Sequence, residues 1–294
     1  MKMMYIAKIQ ANLKRNQTVH THRSTSRVLD GSYNSVYKGR SMNFDELREY
    51  VPGDDIKDID WKATSRSGKV LVRQYIAEKK HNVMFLFDTN RRMLASTREH
   101  EEKRELAIMA AGALALFVNR NTDYVGATFM DGKKLKHYPF KTGLGNIELL
   151  LEDYYRSVTL ENTSDLNDTL DYIMKNYNRR MVIFLVTDLE GLHSVSEANL
   201  RRLRVSHDVL ALQMTDAELA PGKVYDLGDS HYVDDFFASD RKLRRLIYKR
   251  KKEMAEAVEE KMKKFGIAYA DFDKTEQVEK EIIELLGRHK FEKR

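Results

Sequence analysis

The sequence predicts an α/β fold, a doubly wound and mostly parallel sheet of the Rossmann type covered by helices on both faces. Short apolar runs that suit strands buried on both faces occur at residues 83–87, 181–187 and 208–213. Segments with helical periodicity alternate with these runs, as expected when parallel strands are joined by crossover helices. The dipeptide Asp131-Gly132 is a strong hairpin signal, so we expect one antiparallel edge strand beside the parallel ones.

The first part of the chain differs from this pattern and predicts an amino-terminal extension. Residues 1–17 predict a short amphipathic helix, and residues 18–43, rich in Ser, Thr, Asn and Gly, predict a loop. The apolar positions of the helix are Met4, Ile6, Ile9 and Leu13.

Residues 44–80 are dense in charge and turn signals, and they end in a β-branched segment that predicts a strand at 69–77. We therefore divide the chain into a β-containing extension, residues 1–80, which wraps or adjoins the sheet, and an α/β domain, residues 81–294.

Within the α/β domain, a capping box formed by Ser96 and Glu99 predicts that a deeply packed helix begins there and runs to residue 119. Period-3.6 apolar spacing predicts a long basic helix at 240–265. The other predicted helices lie at 145–156, 165–177, 195–203 and 275–287. The other predicted strands lie at 124–130, 134–138, 232–233 and 267–270.

Composition excludes several classes of function. The 294 residues contain no cysteine, which removes disulfide frameworks, Cys-ligated metal sites and thiol catalysis. No apolar stretch approaches the roughly 20 residues that span a bilayer, so we expect a soluble cytoplasmic protein.

The net charge of +6 is concentrated in one segment. Residues 241–264 contain 11 Lys or Arg and 4 Glu, a net of +7, so the rest of the chain is near −1. A solvated helix face or a contact with a protein partner is the first interpretation. Nucleic acid or an anionic surface is an alternative, although no interleaved stacking aromatic residues accompany the charge.

Two aspartates close predicted strands, Asp88 after 83–87 and Asp188 after 181–187. In doubly wound sheets, ligands bind beyond the carboxyl ends of the strands, where the strand order reverses. Two carboxylates there could hold a divalent cation such as Mg²⁺ through oxygen ligands. The alternative is that they cap helices and form turns.

Residues 43–76, NFDELREYVPGDDIKDIDWKATSRSGKVLVRQYI, resemble the hallmark segment of the domain of unknown function 58 family. We call this stretch the hallmark segment. The matching positions are Glu46, Arg48, Tyr50, Gly53, Asp54, Asp55, Ile59, Asp60, Trp61, Arg66, Gly68, Val72 and Arg73.

The resemblance implies a von Willebrand factor A-like domain after the hallmark segment. It also implies a partner, a MoxR-type AAA+ ATPase, with which members act in chaperone-like assembly or activation. Many members carry amino-terminal membrane helices, and this chain looks like a short soluble member without them.

The metal-ion-dependent adhesion site of such domains implies roles for individual residues here. Asp88 and Asp188 match its two aspartates, Asn90 and Arg92 stand where its two serines belong, and Ser164, or Thr163, would supply the hydroxyl ligand. Asn90 still offers an oxygen, but Arg92 carries a positive charge that cannot ligate a cation. We therefore expect a degenerate site in which an Arg92 ion pair takes the place of the metal, and no other cofactor.

The hallmark segment itself predicts a structural latch or a docking surface for a partner. In the latch, aspartates bond nearby backbone amides, arginines neutralise them and Trp61 anchors the segment in the core. The residues concerned are Asp54, Asp55, Asp60, Trp61, Arg66 and Arg73.

These observations favour a non-enzymatic module that binds a protein partner. One alternative is a metal-dependent phosphohydrolase-like enzyme with Asp88 as nucleophile, although Asn90 stands where such enzymes need a second acid. Another is binding of nucleic acid or an anionic surface through the basic helix, residues 241–264.

Overall fold

A computed structural model describes residues 4–20, 46–74, 80–217, 224–226, 231–233 and 241–292 of the chain. The helices are α1 Met4–His20, α2 Trp61–Ser67, α3 Lys103–Arg120, α4 Leu144–Ser157, α5 Leu166–Asn176, α6 Leu189–Ser194, α7 Glu197–Ser206, α8 Arg241–Phe265 and α9 Val278–Glu292. The strands are β1 Glu46–Glu49, β2 Leu71–Gln74, β3 Asn82–Phe87, β4 Tyr124–Asp131, β5 Lys134–Lys141, β6 Val182–Asp188, β7 Asp208–Met214, β8 Val224–Asp226, β9 His231–Val233 and β10 Ala268–Phe272.

A six-stranded, mostly parallel sheet forms the centre of the fold, in the order β10-β7-β6-β3-β4-β5. Each neighbouring pair is parallel except β4 and β5, which form the antiparallel hairpin that Asp131-Gly132 predicts. The α/β class and the antiparallel edge strand are therefore confirmed.

The strand order reverses between β3 and β6. From β3 the chain adds β4 and β5 on one side, then crosses to the other side of β3 to add β6, β7 and β10. The carboxyl ends of β3 and β6 therefore flank the crevice in which doubly wound sheets bind ligands.

Helices cover both faces of the sheet because its strands are apolar on both sides. One core layer packs α1, α3, α4 and α9 against one face, with Phe85, Phe87 and Phe184 at its centre. The other layer packs α5, α6, α7 and the carboxyl-terminal half of α8 against the opposite face, around Met84 and Leu185.

Helix α1 packs into the first of these layers through Tyr5, Ile6, Ile9 and Leu13. Met4, predicted to be apolar and inward, is exposed, and Tyr5 is buried in its place. Residues 18–20, predicted as loop, extend α1, and the rest of the predicted loop at 18–43 lies outside the described residues.

The predicted start of the long apolar helix is wrong by seven residues. Ser96 forms a β-bridge with Glu102, and His100 has a positive φ of 64°, so the segment between them is a tight turn. The hydroxyl of Thr97 stabilises this turn by donating to the backbone oxygen of Asp273. Helix α3 therefore begins at Lys103, which lies in its first turn.

The described part of the hallmark segment, residues 46–74, forms a small antiparallel ribbon of β1 and β2 with the short helix α2. The predicted strand at 69–77 is observed from Leu71 to Gln74, and its last residues lie outside the described part of the chain. Across the described ranges, no helix combines the length and the apolar character that crossing a membrane requires.

Candidate functional site

Asp88 and Asp188 meet at the point where the strand order reverses. Asp88 directly follows β3, and its backbone N–H donates to the carbonyl of Val186 in β6. Asp188 is the last residue of β6. Both side chains are almost completely buried, 2% and 1% exposed, so their charges must be compensated within the protein.

Asp88 uses both of its carboxylate oxygens in short internal hydrogen bonds. The backbone N–H of Asn90 donates to Oδ1 at 2.9 Å, and the hydroxyl of Thr187 donates to Oδ2 at 2.6 Å. The guanidinium of Arg92 lies 3.4 Å from the same Oδ2. Asp88 is therefore fixed by its neighbours on both sides.

Asp188 is held by a lysine that the sequence reasoning missed. Lys103, in the first turn of α3, is itself buried and places its Nζ 2.9 Å from Asp188 Oδ2. The same Nζ forms a close ion pair with Asp216, just beyond the end of β7. The other oxygen, Asp188 Oδ1, accepts the backbone N–H of Gly191 at 2.9 Å.

Arg92 lies between the two aspartates, at the position where the resemblance placed a serine ligand. Its Nη2 is 3.4 Å from Asp88 Oδ2, and its Nε is 3.5 Å from Asp188 Oδ2. The Nε also lies 3.7 Å from Glu190, whose side chain is exposed. We call the five residues Asp88, Arg92, Lys103, Asp188 and Asp216 the carboxyl-edge cluster.

Asn90 and Ser164 lie beside this cluster, but their hydrogen bonds hold the surrounding loops in place. Asn90 caps the 3₁₀ turn Arg91–Leu94 by accepting the N–H of Arg92, and its amide nitrogen donates to the carbonyl of Ser164 at 3.1 Å. The hydroxyl of Ser164 hydrogen-bonds to that of Thr89, which donates to the carbonyl of Met130.

The electrostatics of the cluster are asymmetric. Burial, together with the charge of Asp188, raises the pKa of Asp88 to about 6. Burial also opposes the ionisation of Asp188, but the charges of Lys103 and Arg92 outweigh it and hold the pKa of Asp188 below its ordinary value. Burial disfavours the charge of Lys103 as well, yet the attraction of Asp188 and Asp216 raises its pKa.

The donor set does not fit a divalent cation. The oxygens that a metal would need already accept hydrogen bonds or face Arg92 and Lys103, and two cationic groups would repel a third cation. Across the residues that the structure describes, no group of three or more His, Asp or Glu side chains is arranged to hold a metal ion.

The spacing of Lys103 in the sequence could have identified it as a buried residue of this site, and Gly191 is a second residue that the site requires, because of its small size. Lys103 precedes Leu106, Ala107 and Ala110 by three, four and seven positions, which places it on the buried face of α3. Gly191 is needed because a Cβ atom there would lie 1.8 Å from Thr187 Oγ1 and 2.7 Å from Asp88 Oδ2.

In the hallmark segment, the aspartates bond backbone amides. Asp55 accepts the N–H of Lys57, and Asp60 caps α2 by accepting the N–H groups of Lys62 and Ala63, each at 3.0 Å.

The arginine and the tryptophan of the predicted latch differ from expectation. Arg48 forms the bidentate pair with Asp54, at 2.5 and 2.7 Å, whereas Arg66 is exposed on α2. Arg73 lies in β2, and its side chain is outside the described residues. Trp61 does not anchor the segment in the core: it is the first residue of α2 and is 65% exposed.

The basic helix α8 begins near the carboxyl-terminal ends of the strands, on the same side of the sheet as the carboxyl-edge cluster. Its fully buried residues, Val258 and Met262, lie in its carboxyl-terminal half. The bases of 241–252 are half-buried or exposed, and they are accompanied by exposed Leu246 and Tyr248.

Comparison with known proteins agrees with the resemblance of the hallmark segment. A family model described as "Protein of unknown function DUF58" matches residues 46–257, most of the chain. The chain belongs to the DUF58 family.

Relatives described as uncharacterized proteins are found in mycobacteria. Proteins of Mycobacterium bovis and Mycobacterium tuberculosis are 27% identical to this chain over 194 residues, 64% of this chain and 60% of theirs. The match therefore spans about three fifths of the length of these relatives.

Two solved structures align with part of this chain. A conserved hypothetical protein BatB from Bacteroides thetaiotaomicron aligns with a TM-score of 0.45 at 17% identity, covering 71% of this chain and 98% of its own. An aerotolerance-related membrane protein from Bacteroides fragilis aligns with a TM-score of 0.43 at 17% identity, covering 70% of this chain and 98% of its own.

Proposed function

We propose that this DUF58 protein is a non-enzymatic interaction module that binds a protein partner at the carboxyl edge of its sheet. The carrying observation is Arg92, whose guanidinium lies 3.4 and 3.5 Å from the two aspartates that close β3 and β6. In this proposal the domain is von Willebrand factor A-like, with a degenerate metal-ion-dependent adhesion site whose cation is replaced by a side chain of the chain itself.

The charge arrangement supports recognition rather than chemistry. Arg92 is mostly buried yet reaches the surface, and Glu190 beside it is exposed, so a partner would meet a fixed pair of opposite charges. Charges held rigidly in this way give orientation and specificity to an interface. Because Arg92 and Lys103 supply the positive charge, the interaction would not depend on a divalent cation.

The surroundings of Asp88 support a role other than that of a nucleophile. It is 2% exposed, and both of its oxygens already accept hydrogen bonds. An attacking carboxylate has to reach the substrate with a free oxygen. We expect no hydrolysis of p-nitrophenyl phosphate with Mg²⁺ present, and turnover that disappears in Asp88→Ala would overturn the non-enzymatic proposal.

The family resemblance suggests a MoxR-type AAA+ ATPase as the partner. The test is binding of the full chain to the purified ATPase of the same organism, measured by biolayer interferometry with and without ATP. We expect Arg92→Ser and Asp88→Ala to weaken binding by about tenfold or more, the range of a lost desolvated charge contact.

A matched control lies at the other end of the strands, where their amino termini are. Arg179 is exposed just before β6, so Arg179→Ser makes the same chemical change far from the carboxyl edge and should leave the affinity unchanged. Without ATP, binding should also persist in a chelator. Equal losses in Arg92→Ser and Arg179→Ser, or binding that requires Mg²⁺ without nucleotide, would contradict the proposal.

A further inference from the structure

A separate cavity of about 450 Å³ opens beside the carboxyl-edge cluster, between the amino-terminal half of α8 and the ends of β7 and β10. Its volume lies within the range of small-molecule binding sites. It shares one residue, Asp216, with the cluster, and otherwise has its own lining.

The charge of the cavity is predominantly positive. Among the described residues, four cationic ones line it, Arg98, Arg244, Lys251 and Lys252. Arg98 is already paired with Asp273 at 3.1 Å, so the positive charge comes mainly from the three residues of α8. Two carboxylates also line it, but they oppose this charge only in part. Asp216 is neutralised by its close ion pair with Lys103. Asp271 is exposed near the end of β10, and its Oδ1 accepts the amide N–H of Gln213, so its carboxylate offsets one of the positive charges.

Two buried polar atoms of the lining residues, one on β7 and one on α8, have no hydrogen-bond partner among the residues that the structure describes. Gln213, 7% exposed on β7, donates its amide nitrogen to Asp271 Oδ1 at 2.7 Å, but its Oε1 accepts no hydrogen bond within the described part of the chain. The Nε of Arg244 on α8 is likewise buried and unpartnered among the described residues. Buried polar atoms are normally satisfied, so an acceptor and a donor left open in one cavity indicate a missing ligand.

The remaining wall suits a flat, partly apolar group. Leu189 and Ile247 supply apolar surface, and Tyr248 stands exposed at the rim, where its ring can stack on a planar group. The cavity therefore combines an aromatic ring at its rim, a buried amide acceptor and a cationic wall. These suit, in turn, the face of a ring, an N–H on the edge of that ring and an anionic group of one ligand.

We infer that this cavity binds a phosphorylated small molecule of the size of a mononucleotide. Arg244, Lys251 and Lys252 face the phosphate, whose two negative charges and three oxygens suit several cations. Gln213 accepts a hydrogen bond from an N–H on the edge of the ring, and Tyr248 covers the ring face. This site goes beyond the proposed partner contact and does not rest on it.

The test is isothermal titration of the full chain with AMP, GMP, CMP and UMP, and separately with inorganic phosphate and adenosine. We expect at least one nucleotide to bind about tenfold more tightly than inorganic phosphate or adenosine, because only the nucleotide makes both sets of contacts. No saturable binding of any nucleotide would overturn the inference, and so would equal affinity for inorganic phosphate.

Neighbouring arginines on α8 provide a matched pair of variants. Arg244 lines the cavity, whereas Arg245 is exposed on the same helix and does not. Arg244→Gln should weaken nucleotide binding about tenfold, and Arg245→Gln, with the same change of net charge, less than about twofold. Equal weakening in both would mean diffuse attraction to the helix and would overturn the site.

A third variant tests the ring contact without changing charge. Gln213→Leu should lower the affinity for the nucleotide but leave the affinity for inorganic phosphate unchanged. Because Gln213 is buried, Tyr248→Ala at the exposed rim gives a second test that does not depend on the core. A single-stranded oligonucleotide that binds more tightly than any mononucleotide and loses affinity equally in Arg244→Gln and Arg245→Gln would overturn the inference in favour of a nucleic-acid surface.

Discussion

The carboxyl group of Asp88 makes stability depend on pH in an unusual direction. Its pKa is about 6 in the folded protein and 3.8 in the unfolded chain. Between these values the folded state binds more protons than the unfolded state. The contribution of Asp88 to the free energy of unfolding therefore falls as pH rises through this window and is constant above it.

Replacing Asp88 with asparagine should remove this dependence. A shift of about two pKa units corresponds to about 3 kcal/mol. The free energy of unfolding of Asp88→Asn minus that of the wild type should therefore increase by up to that amount between pH 4 and pH 7. Urea unfolding of both proteins at intervals of one pH unit measures the difference. A difference that stays constant across the window would contradict the raised pKa.

Lys103 contributes more to the stability of the fold than its position in the sequence indicates. Its side chain is 2% exposed, and it compensates Asp188 and Asp216 together. Removing one member of a buried ionic group leaves the others uncompensated, which costs about 3 kcal/mol or more. We therefore expect Lys103→Met to lower the free energy of unfolding by about that amount in urea titrations at pH 7.

The control for Lys103→Met is an exposed pair of the same chemistry. Lys264 lies 2.7 Å from Glu197, but both side chains are about half exposed. Surface pairs contribute about 1 kcal/mol or less, so Lys264→Met should be nearly neutral. Similar effects in the two variants would mean that burial of the cluster has no energetic consequence.

Helix α6 must approach β6 closely for the cluster to form, and Gly191 permits that approach. A methyl group there would collide with Thr187 Oγ1 at 1.8 Å and would also press on Asp88. Gly191→Ala should therefore destabilise the protein by about 2 kcal/mol, as overpacking in a closed site does.

Gly287 in α9 is the matched control for Gly191→Ala, because a Cβ atom there would meet nothing within 4 Å. Gly287→Ala should leave stability unchanged or raise it by up to about 1 kcal/mol, since alanine favours a helix. Thermal unfolding of both variants measures this contrast. If Gly191→Ala is tolerated equally well, α6 is not held against β6 as described.

The order of helices and strands could be predicted because the sheet is buried on both faces. Runs such as 83–87 and 181–187 are then continuously apolar, and each ends in an aspartate. The rule that ligand sites lie where the strand order reverses brings Asp88 and Asp188 together without any contact information. The position of Arg92 beside them is expected from the resemblance, which places it where the adhesion site has a serine ligand, and Arg92 lies 3.4 Å from Asp88 and 3.5 Å from Asp188.

Features that depend on contacts distant in sequence could not be predicted in the same way. The turn before α3 is stabilised by Thr97 and residues after β10, so the apparent capping box at Ser96 was misleading. Arg48 rather than Arg66 pairs with Asp54 because the pairing depends on the geometry of the β1–β2 ribbon. The exposure of Trp61 follows from its place at the start of α2, a position that composition does not reveal.

Helix α1 is held by a side chain 142 and 143 positions away from the residues it contacts, which bears on the division of the chain at residue 80. Glu148 in α4 is buried, and its two oxygens accept the N–H groups of Tyr5 and Ile6, each at 2.9 Å. These bonds satisfy donors that the first turn of a helix otherwise leaves open. Helix α1 also contributes Ile9 to the core, against Gly112 of α3.

Glu148→Gln should therefore loosen α1 selectively, because an amide offers one acceptor and sets its own N–H group against the helix donors. We expect a loss of about 2 kcal/mol in stability, with faster amide hydrogen exchange in 4–20 than in α3. The exposed pair of Glu152 with Arg156 supplies the control, and Glu152→Gln should change stability by less than about 0.5 kcal/mol. If exchange in 4–20 is as fast in the wild type as in Glu148→Gln, α1 belongs to a separate amino-terminal unit and not to the core of the sheet.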